Sequence, residues 1–317
     1  MNIRKNNNIK VLIVGSGKIG REYLKILITK KYFQVSSILS TSNKNLGEVK
    51  KITSPEIFKT DEKKTLKRNR FDLAIIAVPV NKTFKVSKEI MKYVRVLLIE
   101  KPPALTLYET LSLIKLSKKN KNKLFIGMNR ANFDSTLHVK NLLKNSREKR
   151  IVEVTDQEDV RLAKKIGHAK IVLENWMYAN SIHMIDYFRI FCRGKILKIE
   201  KLESFKSPFE KKIYICKILF SSGDLGIYKG YWNLKNRWQT KIILNSKIYN
   251  LLPLEELKII NQKTRVEKKI FLKKSKFKSG FYNQINSLEK YFKKKKNNLV
   301  EISECVKTIK LIKRLFY

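Results

Sequence analysis

Val11-Leu-Ile-Val-Gly15-Ser-Gly17-Lys-Ile-Gly20-Arg-Glu-Tyr-Leu-Lys-Ile-Leu27 decides the fold. A short apolar run stops at a glycine turn, and a helical pattern with Tyr23, Leu24 and Leu27 on one face follows at once. Strand, tight turn and helix start come in the order that dinucleotide binding needs. Gly15 permits the turn, Gly17 lets the backbone approach a pyrophosphate, and Gly20 lets the helix pack near the strand. Gly15, Ser16, Gly17, Lys18, Ile19 and Gly20 are therefore read as a phosphate cradle, with the N–H groups of a helix N-terminus facing the ligand. The bland alternative is a glycine turn that only closes a strand–helix unit.

Outward from that turn, strands and helices alternate. Phe33–Leu39 reads as the second strand. At position 40, about twenty residues past the third glycine, an NAD site usually carries an acid for the ribose 2′-hydroxyl. Here stand Ser40, Thr41 and Ser42, then Lys44. Hydroxyls followed by a cation suit a 2′-phosphate better, so the cofactor is read as NAD or NADP with a lean towards NADP. Lys50–Arg70 is polar and reads as a helix and a loop. Phe71–Val78 is a continuous apolar run, as a strand buried on both faces requires, and it delivers Ala77, Val78 and Pro79. A helix at Phe84–Tyr93 precedes the strand Val94–Ile99, which leads into Glu100-Lys101-Pro102-Pro103. A helix near Thr106–Lys119 and a strand Leu124–Ile126 then lead to Gly127-Met-Asn129-Arg130. This grammar predicts an α/β fold opened by a Rossmann doubly wound parallel sheet over residues 1–130, with ligands beyond the strand carboxyl ends.

Past residue 131 the pattern changes. A helix over Ala131–Asn145, a strand at Ile151–Val154, a polar segment with Gln157, Glu158 and Asp159, and a helix near Ser181–Phe191 come first. Strand-like runs follow at 196–202, 212–220, 225–232, 239–244 and 247–251, with Gly223-Asp224 as a hairpin signal. Helices near Phe281–Lys294 and Ile302–Phe316 close the chain. Residues 131–317 are expected to form a C-terminal α+β domain with an open, mainly antiparallel sheet.

Composition narrows the function. The 317 residues suffice for two cored domains, and 43% hydrophobic content suits globular folding. The formal net charge of +43 raises the question of nucleic acid. The excess is mostly Lys, spread along the chain beside abundant Asn, Ile, Phe and Tyr, the pattern that A/T-rich codons produce; nucleic acid is not expected as a partner. Three separated cysteines (Cys192, Cys216, Cys305) give neither a disulfide framework nor a zinc site, and no cluster of Cys, His and acids has ligand spacing, so no metal is expected. The run after the basic Met1–Lys10 tail is too short for a signal-peptide core, and no segment approaches a membrane span, which points to the cytoplasm.

Four motifs in this order, Gly15-x-Gly17-x-x-Gly20, Glu100-Lys101-Pro102, Gly127-x-Asn129-Arg130 and Ser181-Ile-His183-Met-Ile-Asp186, resemble the Gfo/Idh/MocA oxidoreductases over nearly the whole chain. Pro253-Leu-Glu255 and the helical end look like the branch that processes sugars for cell-surface polysaccharide. The resemblance implies that Lys101 sits beside the nicotinamide and the substrate hydroxyl, with Pro102 turning the chain, and that His183 is the general acid/base. A proton must leave as hydride leaves an alcohol, and a His serves in both directions. Asp186 orients His183, binds a substrate hydroxyl, or pairs with Arg189 on the same helix. Glu100, Asn129 and Ala77–Pro79 would border the cofactor, and Arg130 and Asn180 the substrate. Where many members carry Asp four residues before the His, this chain has Ala179; Ser181 replaces a common Gly, and Thr83 and Phe84 lie where a His is frequent. His138 and His168 read as structural or surface residues, and Trp176 and Tyr178 as packing.

These readings predict an NAD(P)-dependent dehydrogenase or reductase acting on a free or nucleotide-linked sugar in polysaccharide synthesis. By resemblance it would be a homodimer or homotetramer assembled through the second sheet. The rivals are the same fold on an imine or a cyclitol, and a cofactor-binding sensor or assembly protein without turnover.

Overall fold

The apolar run ahead of the glycine turn forms strand β1 (Ile9–Val14) in a computed structural model that describes residues 8–273 and 275–317; residues 1–7 of the basic tail lie outside it. Val11, Leu12 and Ile13 have no exposed surface. Residues of both parities are apolar because a central parallel strand is covered on both faces. The chain continues through α1 (Lys18–Leu27), β2 (Phe33–Leu39), α2 (Leu46–Lys50), β3 (Phe58–Lys59), α3 (Glu62–Arg68), β4 (Leu73–Ile76), α4 (Val80–Ile90), β5 (Val96–Glu100), α5 (Leu107–Asn120) and β6 (Lys123–Gly127). β1 pairs in parallel with β2 and β4, and β4–β5 and β5–β6 extend the sheet. The Rossmann sheet expected from the sequence is thus present. α5 starts where the sequence supplies a cap: Thr106 accepts the Glu109 N–H at 3.1 Å.

A second unit comprises residues 128–280 and 304–317. It contains α6 (Asp134–Leu142), β7 (Ile151–Glu158), α7 (Val160–Lys165), α8 (Lys170–Glu174), α9 (Ile182–Phe191), β8 (Ile196–Lys201), β9 (Lys212–Phe220), β10 (Leu225–Trp232), β11 (Gln239–Ile243), β12 (Lys247–Leu251), β13 (Leu257–Asn261) and β14 (Glu267–Ile270). The eight strands lie in the order β14-β13-β12-β11-β7-β10-β9-β8. Only β7 with β10 is parallel; the rest pair antiparallel. Along β10 residues alternate between buried and half-buried, as a sheet with one covered face requires. α9 lies over that face against β7, and nearly all of it is buried.

The chain then returns to the first unit for residues 281–303. α10 (Phe281–Phe292) packs on α1 through Phe281 and Tyr23, ring centres 4.8 Å apart. β15 (Val300–Glu301) pairs antiparallel with β6 and becomes the sheet edge. α11 (Ile302–Phe316) ends the second unit, with Phe316 among Tyr214, Tyr228 and Trp232. The two units thus divide between Gly127 and Met128, and residues 281–303 of the first unit interrupt the second.

Other expectations shift for local reasons. β7 runs on through Gln157 and Glu158, which read as a polar segment past the strand, while Asp159 caps α7 by accepting from Leu162 N–H at 2.8 Å. β13 and β14 were not expected: an edge hairpin carrying Lys258, Lys268 and Lys269 lacks the apolar alternation of its neighbours. No helix among the described residues is long and apolar enough to cross a membrane.

The hairpin signal Gly223-Asp224 proves to carry more than a turn. Asp224 is buried and accepts from the backbone N–H groups of Arg150 (3.0 Å) and Arg193 (2.8 Å), and from the Arg193 guanidinium at 2.7 and 3.0 Å. Burial pushes its pKa up, and these donors more than reverse that, holding the carboxyl below the ordinary range. A depressed folded-state value contributes stability that is present above the unfolded pKa of about 3.9 and is lost as pH falls through the folded value. Asp224→Ala is expected to cost on the order of 3–5 kcal/mol at neutral pH. Denaturant titrations should show that loss shrinking as pH drops towards 3; a pH-independent difference would contradict the assignment.

Candidate active site

In the first unit the glycine turn is built by steric exclusion. Gly15 has φ +107, and a Cβ there would lie 2.3 Å from the Ala77 carbonyl oxygen. At Gly20 a Cβ would lie 2.0 Å from the Gly15 carbonyl oxygen, so only glycine lets α1 approach β1 this closely. Gly17 differs: a Cβ there would meet nothing within 4 Å. The backbone is bare on the side where a pyrophosphate would come, and no side chain caps the N-terminus of α1. These features fit a bound dinucleotide.

Ser16, Ser40 and a residue that the sequence reading missed come together beside the turn. Ser16 is buried, its hydroxyl is 2.9 Å from that of Ser40, and Asn45 Nδ2 donates to it at 3.2 Å. Arg21, also missed, donates from Nη1 to the Ser16 carbonyl at 2.8 Å. Only the fold could show that Asn45, six residues past the end of β2 on a short helical turn, reaches back to Ser16. Thr41, Ser42 and Lys44 are exposed in the same connection. Lys18 is exposed and Ile19 half-buried at the start of α1; Val78 is half-buried and Pro79 exposed, where β4 gives way to α4.

Glu100 ends β5 and is half-buried, with Lys101 directly after it and a cis peptide to Pro102. The Tyr23 hydroxyl lies 2.5 Å from Glu100 Oε1 and 3.0 Å from Gln284 Oε1 of α10. Burial, and then the Glu100 charge, push the Tyr23 phenol well above its ordinary value, so it remains a donor at neutral pH. A Cβ on Gly127 would lie 2.5 Å from Glu100 Oε1, which explains the glycine of the third motif. Glu100 is thus held by α1, α10 and the space beside β6, and it fixes the chain from which Lys101 projects.

In the second unit Asn129 and Arg130 occupy a short helical turn, Asn129–Asn132. Asn129 Nδ2 donates to the Ser279 carbonyl at 3.2 Å, and the Arg130 guanidinium lies 4.2 Å from the centre of the Trp238 ring. His183 is the second residue of α9 and is 6% exposed. Asp186, 1% exposed, accepts from Arg189 Nε and Nη2, both at 2.7 Å, and from Thr308 Oγ1 at 2.6 Å. Of the roles raised for Asp186, the geometry displays the pair with Arg189, and Thr308 adds an anchor to α11. Asn180, expected to serve substrate, donates to Glu158 Oε2 at 2.8 Å. Trp176 is buried and donates to the same oxygen, as packing rather than stacking requires. His168 is exposed, edge-on to Trp176, and His138 is half-buried.

Residues 9–128 match the family described as an oxidoreductase family with an NAD-binding Rossmann fold. The class is therefore a nicotinamide-dinucleotide-binding oxidoreductase. The matching family model is the one for the Gfo/Idh/MocA family, which the motifs resemble. No curated protein matches the sequence. Among solved structures, a dehydrogenase from Chromobacterium violaceum is similar over 98% of this chain and 95% of its own, with TM-score 0.81 and 17% identity. UDP-N-acetylglucosamine 3-dehydrogenase from Acidithiobacillus ferrooxidans is similar over 98% and 97%, with TM-score 0.75 and 12% identity. The WlbA dehydrogenase of Chromobacterium violaceum, in complex with NADH and UDP-GlcNAcA, is similar over 98% and 93%, with TM-score 0.77 and 14% identity. At these identities the likeness is one of fold, and it extends through both units.

Gly17 and Gly20 make a paired test. Gly20→Ala forces backbone against backbone and should cost about 1–3 kcal/mol in denaturant unfolding. Gly17→Ala should leave stability unchanged while weakening dinucleotide binding about tenfold or more, read by cofactor fluorescence. Equal effects of the two substitutions on stability would contradict the separation of roles.

Proposed function

We propose that this protein moves hydride between a hydroxyl-bearing sugar carbon, on a free or nucleotide-linked sugar, and a nicotinamide, in the cytoplasm and in the service of cell-surface polysaccharide synthesis. The observation that carries the reading is Lys101 at the carboxyl end of β5, in the sheet whose first strand ends in the glycine cradle. The nucleotide-sugar dehydrogenases among proteins of like fold support a sugar as substrate.

Bound nicotinamide supplies the hydride acceptor or donor. The chain supplies the rest. The Lys101 ammonium orients the reacting hydroxyl and stabilises charge on its oxygen. His183 takes the hydroxyl proton in oxidation and returns it in reduction. Glu100, tied to Tyr23, holds the Lys101 segment, and Asp186 anchors the helix of His183 to Thr308. With Ser40 and Lys44 after β2 in place of an acid, a 2′-phosphate is accommodated better than a bare 2′-hydroxyl, so NADPH is the preferred partner.

The test is turnover on a panel of free and UDP-linked sugars, extended to cyclitols and imines, with each cofactor. Lys101→Ala and His183→Ala are each expected to lower kcat by roughly 10²–10⁴-fold while cofactor binding survives. Unchanged turnover in either variant would remove that residue from the mechanism, and activity confined to imines or cyclitols would displace the sugar reading. The second sheet also implies self-association. Its less covered face exposes Ile151 (37%) and Ile213 (43%), and such a face is normally buried by a partner. Light scattering at micromolar concentration is expected to give a dimer or tetramer mass; a monomer mass would refute it.

A further inference from the structure

β7 changes character along its covered face. Val152 and Val154 are followed, at the same parity, by Asp156 and Glu158, which are 0% and 1% exposed. Two carboxyls taken out of water are costly unless their oxygens find donors and their charge is relieved. Donors are visible for half of the oxygens. Tyr228 of β10 donates to Asp156 Oδ2 at 2.9 Å. The Trp176 indole at 2.5 Å and the Asn180 amide at 2.8 Å both donate to Glu158 Oε2. Asp156 Oδ1 and Glu158 Oε1 are also buried and have no donor in normal geometry among the described residues. The two carboxyls stand close enough that the charge of Asp156 raises Glu158. One proton between them satisfies both remaining oxygens at once, whereas two ionised groups would set like charges together in a dry interior.

We propose that Asp156 and Glu158 share a single proton between Oδ1 and Oε1, and that this pair is the positioning element for His183. The physical link is short. Glu158 Oε2 grips Trp176 and Asn180, which bracket and belong to the turn Met177–Ser181, and α9 begins at Ile182 with His183 next. That turn is wound wider than an α-helix, so its geometry depends on bonds from outside it. The chain lacks an acid at Ala179, one turn before His183, and supplies two from the strand beneath.

The surroundings fix where the charge rests. Burial, followed by the charge of Asp156, pushes Glu158 well above the ordinary carboxyl range, and burial raises Asp156 as well. Arg130, from the turn Asn129–Asn132, favours the ionised form of Asp156, as do the Tyr228 and Ser181 hydroxyls. The Tyr228 phenol is itself pushed up by burial and then by the two acids, so it stays a donor. His168 meets the far side of Trp176 edge-on at 5.3 Å. Asn180, on this account, serves Glu158.

The importance of the pair to catalysis rests on His183 handling the substrate proton, so the test reads the pair and the imidazole without turnover. Infrared difference spectra of the full chain at neutral pH, wild type minus Glu158→Gln, are expected to contain a protonated-carboxyl C=O band. Histidine-labelled NMR, with His183 assigned by His183→Gln, should show its titration midpoint moving by roughly half a pH unit or more in Glu158→Gln. If that variant does not fold, Asp156→Asn serves both measurements, because the carboxyl band shifts when its partner changes. Absence of the protonated band overturns the shared proton, and an unmoved His183 midpoint overturns the positioning role. Failure to bind either cofactor would overturn the proposed function and leave this result standing.

Discussion

One steric constraint organises the first unit: the contact of the Gly20 Cα with the Gly15 carbonyl, too close for any side chain. It lets α1 lie against β1 and brings the start of the helix to the turn proposed to hold phosphate. It also sets where Tyr23, three residues on, can reach. Tyr23 touches Glu100 at the end of β5, and Glu100 in turn needs the empty space at Gly127. The phosphate turn, the acid before Lys101 and the end of β6 are thus one chain of contacts. Gln284 closes the chain from α10, which explains why residues 281–303 belong to this unit although the sequence runs on from the other.

The second unit is organised by how it disposes of buried acids. Asp224 is matched by Arg193 and two backbone N–H groups and stays ionised. Asp186 is matched by Arg189 and Thr308. Asp156 and Glu158 have donors but, among the described residues, no ion pair, and they relieve their charge through each other. Two of these three solutions flank His183 in sequence or lie beneath the turn before it. The acid/base role proposed for His183 would benefit from a framework in which surrounding charges are fixed.

The fold was legible where physics is local. Unbroken apolar runs at β1 and β4, glycines at the turn and helical periodicity in α1 specify a parallel sheet without reference to anything distant. Glu100 and Lys101 could be placed for the same reason, directly at the end of a strand that the pattern announces. What escaped was polar and long-range. Asn45 reaches Ser16 across 29 positions, Thr308 reaches Asp186 across 122, and Gln284 reaches Tyr23 across 261. No spacing rule marks such partners. The strand character of Gln157 and Glu158 was hidden because buried acids look like a loop until their partners from other elements are seen. β13 and β14 were hidden because an edge needs charge more than it needs apolar alternation.

The central claim, that the glycine turn and Lys101 serve one nicotinamide dinucleotide, is tested most directly by a crystal structure of the protein grown with NADPH and, separately, with NADH. The account predicts pyrophosphate density over residues 17–19, the adenosine ribose beside Ser40 and Asn45, and the nicotinamide at Lys101. Dinucleotide density elsewhere, or none at saturating concentrations of either cofactor, would contradict it.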